Sequence, residues 1–95
     1  MAAYMIFTRE KTRDAEHLAA YSKKAGPTLA GHPAKALVAY GNYEVLEGSA
    51  IEGAVVLEFP TMEDAKTWYN SPAYKEARET RFKGADYRCV LVQGL

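Results

Sequence analysis

Apolar residues crowd into a few short stretches of this chain, and their spacing changes from one stretch to the next. From Ala3 to Thr8 both alternating faces are apolar, with Tyr4, Ile6 and Thr8 pointing one way and Met5 and Phe7 the other. A strand with one wet face would alternate with polar residues, so this one predicts a strand covered on both sides. Thr12 or Asp14 can cap a helix that carries Glu16 in its first turn. Ala15, Leu18, Ala19, Ser22 and Ala25 then recur at helical spacing and form a face of small residues that lets a helix lie close to a sheet. Gly26-Pro27 ends or kinks that helix, because proline lacks an N–H and clashes with the preceding turn, and Thr28-Leu29-Ala30 extends it briefly.

Gly31-His32-Pro33 is a turn. Lys35 to Glu47 follows as an extended segment in two apolar runs, Ala36–Tyr40 and Tyr43–Glu47, with a bulge or bend at Gly41-Asn42. Ala54–Phe59 is dense in β-branched and apolar residues and predicts a strand. Thr61, with Asp64 three residues on, caps a helix that runs to Asn70 and is broken by Ser71-Pro72. Pro72 suits the first position of a further helix, Ala73 to about Lys83, which Gly84 stops. Tyr87–Gln93 is the last strand. The order strand, helix, strand, strand, helix pair, strand with short connections predicts a ferredoxin-like βαββαβ fold of the α+β class. Its antiparallel four-stranded sheet would carry the helices on one face. The other face is apolar too, and in a chain this short a second copy is the economical cover, so a homodimer through the open sheet face is expected.

Length and composition narrow the field. With 95 residues the chain makes one domain, residues 1–95. Twelve basic residues balance twelve acidic ones, so no global field draws in nucleic acid or anionic lipid. No strand carries the basic and aromatic signature of an RNA-reading sheet. Cys89 is the single cysteine, which excludes an internal disulfide, and it sits in an apolar run as a small hydrophobe. The start of the chain lacks a signal-peptide pattern, and no apolar run reaches the roughly 20 residues that span a bilayer. The expectation is a soluble cytoplasmic protein.

Seven residues stand out as carriers of chemistry. Glu58 ends a face otherwise made of Ala54 and Val56, where a carboxylate can acquire a raised pKa and accept a proton, unless a Lys or Arg at the sheet end pairs with it. His32 is held between Gly31 and Pro33 and titrates in the useful range. Trp68 and Tyr69 give an apolar stripe that serves as core or as a ligand wall. Tyr74, Arg78 and Arg81 are spaced to line one helix surface, where a phenol beside two guanidinium groups suits a carboxylate, enolate or phosphate. Glu76 and Glu79 on the same helix could instead pair with those arginines. Metal-ligand spacing, glycine-rich phosphate loops and the nucleophile-elbow pattern are all absent, so neither a metal nor another cofactor is expected.

Several segments together resemble the bacterial family catalogued as domain of unknown function 1330. They are Ala3-Tyr4, Tyr21 with Pro27-Thr28-Leu29, Glu44–Gly48, Val55–Pro60, Ala65, Trp68–Pro72, Tyr74, Arg81 and Val90–Gly94. The stretch Ala30–Asn42 departs from the family pattern, which carries more glycines and an arginine before the second strand. The resemblance implies the dimeric α+β barrel superfamily, in which two ferredoxin-like sheets pack face to face and small molecules bind between helices and sheet. By analogy it implies a homodimeric binder of a small acidic or aromatic metabolite, with cofactor-independent catalysis of the isomerase or monooxygenase kind as the enzymatic form of that expectation. In such a site Trp68, Tyr69 and Tyr74 would form walls, Arg78 or Arg81 would meet an anion, and Glu58 or His32 would move a proton. A non-catalytic dimer that holds a ligand or a protein partner is the alternative.

Overall fold

Eight elements follow one another in the computed structural model, which describes all residues from Met1 to Leu95. They are β1 (Ala3–Thr12), α1 (Ala15–Ala25), a 3-10 turn (Gly26–Leu29), β2 (Lys35–Ala39), β3 (Gly53–Phe59), α2 (Met62–Tyr69), α3 (Pro72–Gly84) and β4 (Ala85–Gln93). The strands form one antiparallel sheet in the order β2-β3-β1-β4. This is the expected ferredoxin-like α+β fold.

Local chemistry sets the helix ends. Asp14 caps α1 by accepting from the backbone N–H groups of Glu16 and His17. Thr61 does the same for α2 through Asp64, and Ser71 for α3 through Tyr74, with Pro72 at the first helical position where no N–H is needed. The turn between β1 and α1 is tied to the end of α3, because the N–H groups of Arg13 and Asp14 both donate to the Gly84 carbonyl at 2.8 and 2.9 Å.

The register sorts side chains between two faces. Met5 lies opposite Leu57 and Leu91, and Phe7 opposite Val55 and Cys89, all on the helix side. There Met5, Phe7, Leu57 and Phe59 pack with Leu18 and Tyr21 of α1, Ala65 and Trp68 of α2, and Tyr74 and Ala77 of α3. Trp68 is the hub: its ring lies 4.0 Å from that of Tyr74 and 5.7 Å from that of Phe59, and it meets Phe7 edge-on at 6.5 Å. The opposite face carries Tyr4, Ile6, Thr8, Ala54, Val56 and Glu58, bordered by the exposed Val38, Val90 and Val92. It has no helix over it.

One segment departs from the sequence expectation. The extended stretch expected to run from Lys35 to Glu47 is a strand only as far as Ala39. Tyr40 donates its N–H to the Ala54 carbonyl, then turns the chain away at a left-handed φ of 56°. β3 begins at Gly53, so beyond Tyr40 no neighbouring strand is left to pair with, and Gly41–Ile51 forms an exposed arm without regular structure. No helix is long and apolar enough to cross a membrane.

Candidate functional site

Between the sheet and the layer formed by α1 and the 3-10 turn lies a cavity of about 240 Å³. Phe7, Tyr21, Leu29, Tyr40, Trp68 and Tyr87 are among its walls. The alternation of β1 and β4 brings Phe7 and Tyr87 to it, and the turn forced by Pro27 brings Leu29. A wider hollow of about 810 Å³ is bounded only by residues Tyr40–Glu44 and Leu46 of the arm and lies open to solvent, so it offers a small ligand little enclosure.

Polar groups around the cavity come in pairs. The Tyr21 and Tyr74 hydroxyls lie 2.9 Å apart, and those of Tyr40 and Tyr87 lie 2.5 Å apart. Burial pushes the phenols of Tyr21, Tyr74 and Tyr87 up, so all three are neutral hydroxyls at ordinary pH. Trp68 donates its Nε1–H to the Thr28 hydroxyl at 3.1 Å, and Thr28 donates to the Ala25 carbonyl at 2.6 Å. Tyr40 is clamped on further sides, since the Arg9 guanidinium lies 5.1 Å from its ring centre and its ring fills the space where Gly53 has no Cβ.

Arg81 is the unusual charge. Only 2% of it is exposed. Its guanidinium carbon lies 4.9 Å from the ring centre of Tyr87, 5.1 Å from Phe82, 5.3 Å from Phe7 and 6.0 Å from Tyr21. No carboxylate comes within salt-bridge distance, and its Nε has no acceptor. Aromatic faces supply part of the lost hydration, yet a buried cation is ordinarily paired. Three of the four rings around it, those of Phe7, Tyr21 and Tyr87, are also cavity walls, so the charge lies directly behind the lining.

The seven singled-out residues divide into groups. Trp68, Tyr74 and Arg81 come together at the cavity, with Trp68 in the wall and Tyr74 stacked behind it. Arg78 lies 4.2 Å over the Tyr69 ring beside this cluster. Glu76 and Glu79 pair with neither arginine. Cys89 lies close enough to both arginines to feel them, but burial dominates and pushes its thiol up. Glu58 is on the helix-free face, opposite Tyr4 on β1 and Lys35 on β2, and its carboxylate raises the Tyr4 phenol. His32 is in the turn after the 3-10 helix, where its backbone bonds Leu29 and Ala34, and it does not line the cavity. Tyr21, Tyr40 and Tyr87 are cavity residues absent from the sequence-based set. The parity of Tyr87 with Cys89 and Leu91, and the spacing of Tyr21 from Leu18, were the signals that would have found two of them. No group of three or more His, Cys, Asp and Glu side chains that could hold a metal ion comes together.

A four-stranded antiparallel sheet with its helices on one face and an aromatic cavity between the layers defines a ferredoxin-like α+β domain. The chain belongs to the family described as Domain of unknown function (DUF1330), which it matches over residues 2–95. No curated protein matches the sequence. Among solved structures, a protein of unknown function from Rhodopseudomonas palustris is similar with 23% identity and a TM-score of 0.74, over 99% of this chain and 82% of that one. A dimeric ferredoxin-like protein of unknown function from Thermobifida fusca shares 14% identity at a TM-score of 0.68, covering 99% and 92%. SnoaB, a cofactor-independent oxygenase from Streptomyces nogalater, shares 6% identity at a TM-score of 0.64, covering 99% and 93%. At these identities the likeness carries the fold alone.

Proposed function

We propose that the chain is a homodimeric small-molecule-binding protein whose cavity takes a flat, largely apolar ligand bearing one anionic group. The observation that carries this is Arg81, a buried guanidinium without a carboxylate partner behind the wall of an aromatic cavity. A ligand carboxylate or enolate reaching past Tyr21 and Tyr87 would supply the missing charge, and the rings would stack on its apolar body. The volume of about 240 Å³ is small beside the several hundred ångström³ of drug-sized sites, which suits a metabolite of one-ring size. The apolar helix-free face and the dimeric state of the Thermobifida fusca protein support a pair of chains joined there.

Binding is favoured over catalysis by a proton-abstracting base, because the cavity lining contains no Asp, Glu or His and its phenols are weak bases. Glu58 and His32, the proton carriers expected from sequence, lie outside it. The second reading, oxygenase chemistry on a ligand that already ionises, draws on the fold shared with SnoaB.

Trp68 is the only tryptophan and lines the cavity, so its fluorescence reports occupancy. Titration with a one-ring aromatic carboxylate should give saturable quenching, and the corresponding neutral amide a much weaker response. Equal responses to acid and amide would overturn the anionic part, and no response to a broad panel of either would overturn binding. Product analysis in air-saturated buffer separates the oxygenase reading from plain binding.

A further inference from the structure

Few hydrogen-bond donors line the cavity, and those of Ser22 and Trp68 are already spent. Ser22 donates its hydroxyl to the Leu18 carbonyl at 3.1 Å, and Trp68 donates its Nε1–H to Thr28. The phenols differ. Tyr21 with Tyr74, and Tyr40 with Tyr87, each bring two O–H groups together, and the contact between them uses one. Neither pair of hydroxyls makes any other hydrogen bond within the chain, so each pair keeps one hydrogen to give. The lining holds no carboxylate to receive it.

The two spare donors stand at different depths. Tyr74 is fully buried and Tyr21 nearly so, and Tyr21 is the one of the two that lines the cavity. Donation from Tyr74 to Tyr21 therefore leaves the free hydrogen of that pair on the cavity side. A buried hydroxyl hydrogen without an acceptor costs its desolvation, so a ligand oxygen there is favoured. Tyr40 is 45% exposed, which puts the second pair at the mouth. Arg81 stands behind both, 6.0 Å from the Tyr21 ring centre and 4.9 Å from that of Tyr87, and its field falls on whatever the phenols hold. Burial raises the Tyr21 phenol, and the Arg81 charge opposes that rise, so its O–H donates better than burial alone would leave it.

This arrangement selects among anions. A carboxylate keeps both oxygens on one carbon at one end of the ligand, so it answers a donor at one depth. The enolate of a cyclic 1,3-dicarbonyl compound shares its charge between oxygens on two different ring carbons and has no hydrogen of its own to place. We propose that the cavity takes cyclic enolates of this class, with one oxygen at the Tyr21–Tyr74 pair, the other at the Tyr40–Tyr87 pair and the ring against Trp68. This rests on the anionic-ligand reading above and adds the class of anion and the groups that touch it.

Cyclohexane-1,3-dione, ionised at neutral pH, is the probe, with benzoate and the neutral O-methyl enol ether of the dione as comparisons, all read by Trp68 fluorescence. Expected is saturable quenching by the dione, with a dissociation constant at least about 10-fold below those of benzoate and the ether. A dione that binds no tighter than benzoate overturns the enolate assignment and leaves an anion-binding cavity standing. A dione that binds no tighter than its ether overturns it because the charge is not read. A cavity indifferent to all three overturns it as well, and the wider panel of acids and amides then decides the binding reading on its own. Removing a donor requires both phenols of a pair, because a single change to phenylalanine still leaves one O–H. Tyr40→Phe combined with Tyr87→Phe should therefore weaken the dione on the order of 10-fold and narrow its lead over benzoate. A double variant that keeps the wild-type melting temperature and the full preference for the dione overturns the contact at the mouth.

Discussion

The Tyr21 and Tyr74 hydroxyls satisfy each other at 2.9 Å between α1 and α3, with both side chains buried. A buried hydroxyl left alone costs its full desolvation, about 1–3 kcal/mol, whereas removing both partners can be nearly neutral. Tyr21→Phe or Tyr74→Phe alone is therefore expected to destabilise by about 1–3 kcal/mol. The double variant should lose less than the sum of the two. Urea denaturation of the full double-mutant cycle measures this, and additive losses would show that the hydroxyls do not depend on each other.

Two glycines should respond in opposite ways to alanine. A Cβ at Gly84 would lie 2.7 Å from the Leu18 backbone nitrogen, so α1 and α3 would have to part. Gly84→Ala should cost about 1–3 kcal/mol or more by overpacking. At Gly26 a Cβ meets nothing within 4 Å, and φ is a helical −54°. Gly26→Ala should stabilise by about 0.4–1 kcal/mol, because it narrows the unfolded ensemble. Denaturation midpoints of the two variants decide it.

The hydrophobic pattern made most of the fold legible, and the reasons are local. Period-two alternation, the caps at Asp14, Thr61 and Ser71, and the breaks at Pro27 and Pro72 act within a few residues of themselves. Tyr43–Glu47 misled for a complementary reason: its composition is that of a strand, but strand formation needs a neighbour, and β3 starts too late to provide one. The site was half legible. Helical spacing placed Tyr74, Arg78 and Arg81 on one helix surface, and in the structure Tyr74 and Arg81 are buried beside the cavity while Arg78 lies over the Tyr69 ring. Glu58 could be assigned a face but not the side on which the helices pack, which depends on tertiary structure. Tyr40 could not be found at all, because its place in the wall follows from a left-handed backbone and a glycine thirteen positions on.

Acid should weaken the fold through two exposed carboxylates. The His17 side chain lowers the pKa of Asp14, and the Thr12 hydroxyl lowers that of Glu52. A carboxyl whose folded pKa is depressed contributes stability that is fully present above its unfolded value, about 4. That contribution is lost as pH falls through the lower folded value. Asp14→Asn and Glu52→Gln should each lower the urea midpoint at pH 7, and the difference from wild type should close as the pH falls through the lowered folded values. A gap that persists in acid would mean that the substitutions act by lost packing or capping instead.

Arg81 sets stability against binding. A buried charge without a carboxylate partner is expensive to fold, and replacing buried ionic groups by apolar side chains of similar volume is often neutral or stabilising. Arg81→Met retains the contact with Phe7, Phe82 and Tyr87 while removing the charge. It should match or exceed the wild-type melting temperature, by the equivalent of about 1 kcal/mol or more. The same variant should lose the Trp68 fluorescence response to an aromatic carboxylate and keep whatever weak response the neutral amide gives. Arg78→Met, which removes the neighbouring charge over Tyr69, should reduce binding far less. A destabilised Arg81→Met would mean that the aromatic faces already satisfy the guanidinium, and that its role is to hold α3 against the sheet. A stable variant that still binds the acid as tightly as wild type would place the anion contact elsewhere.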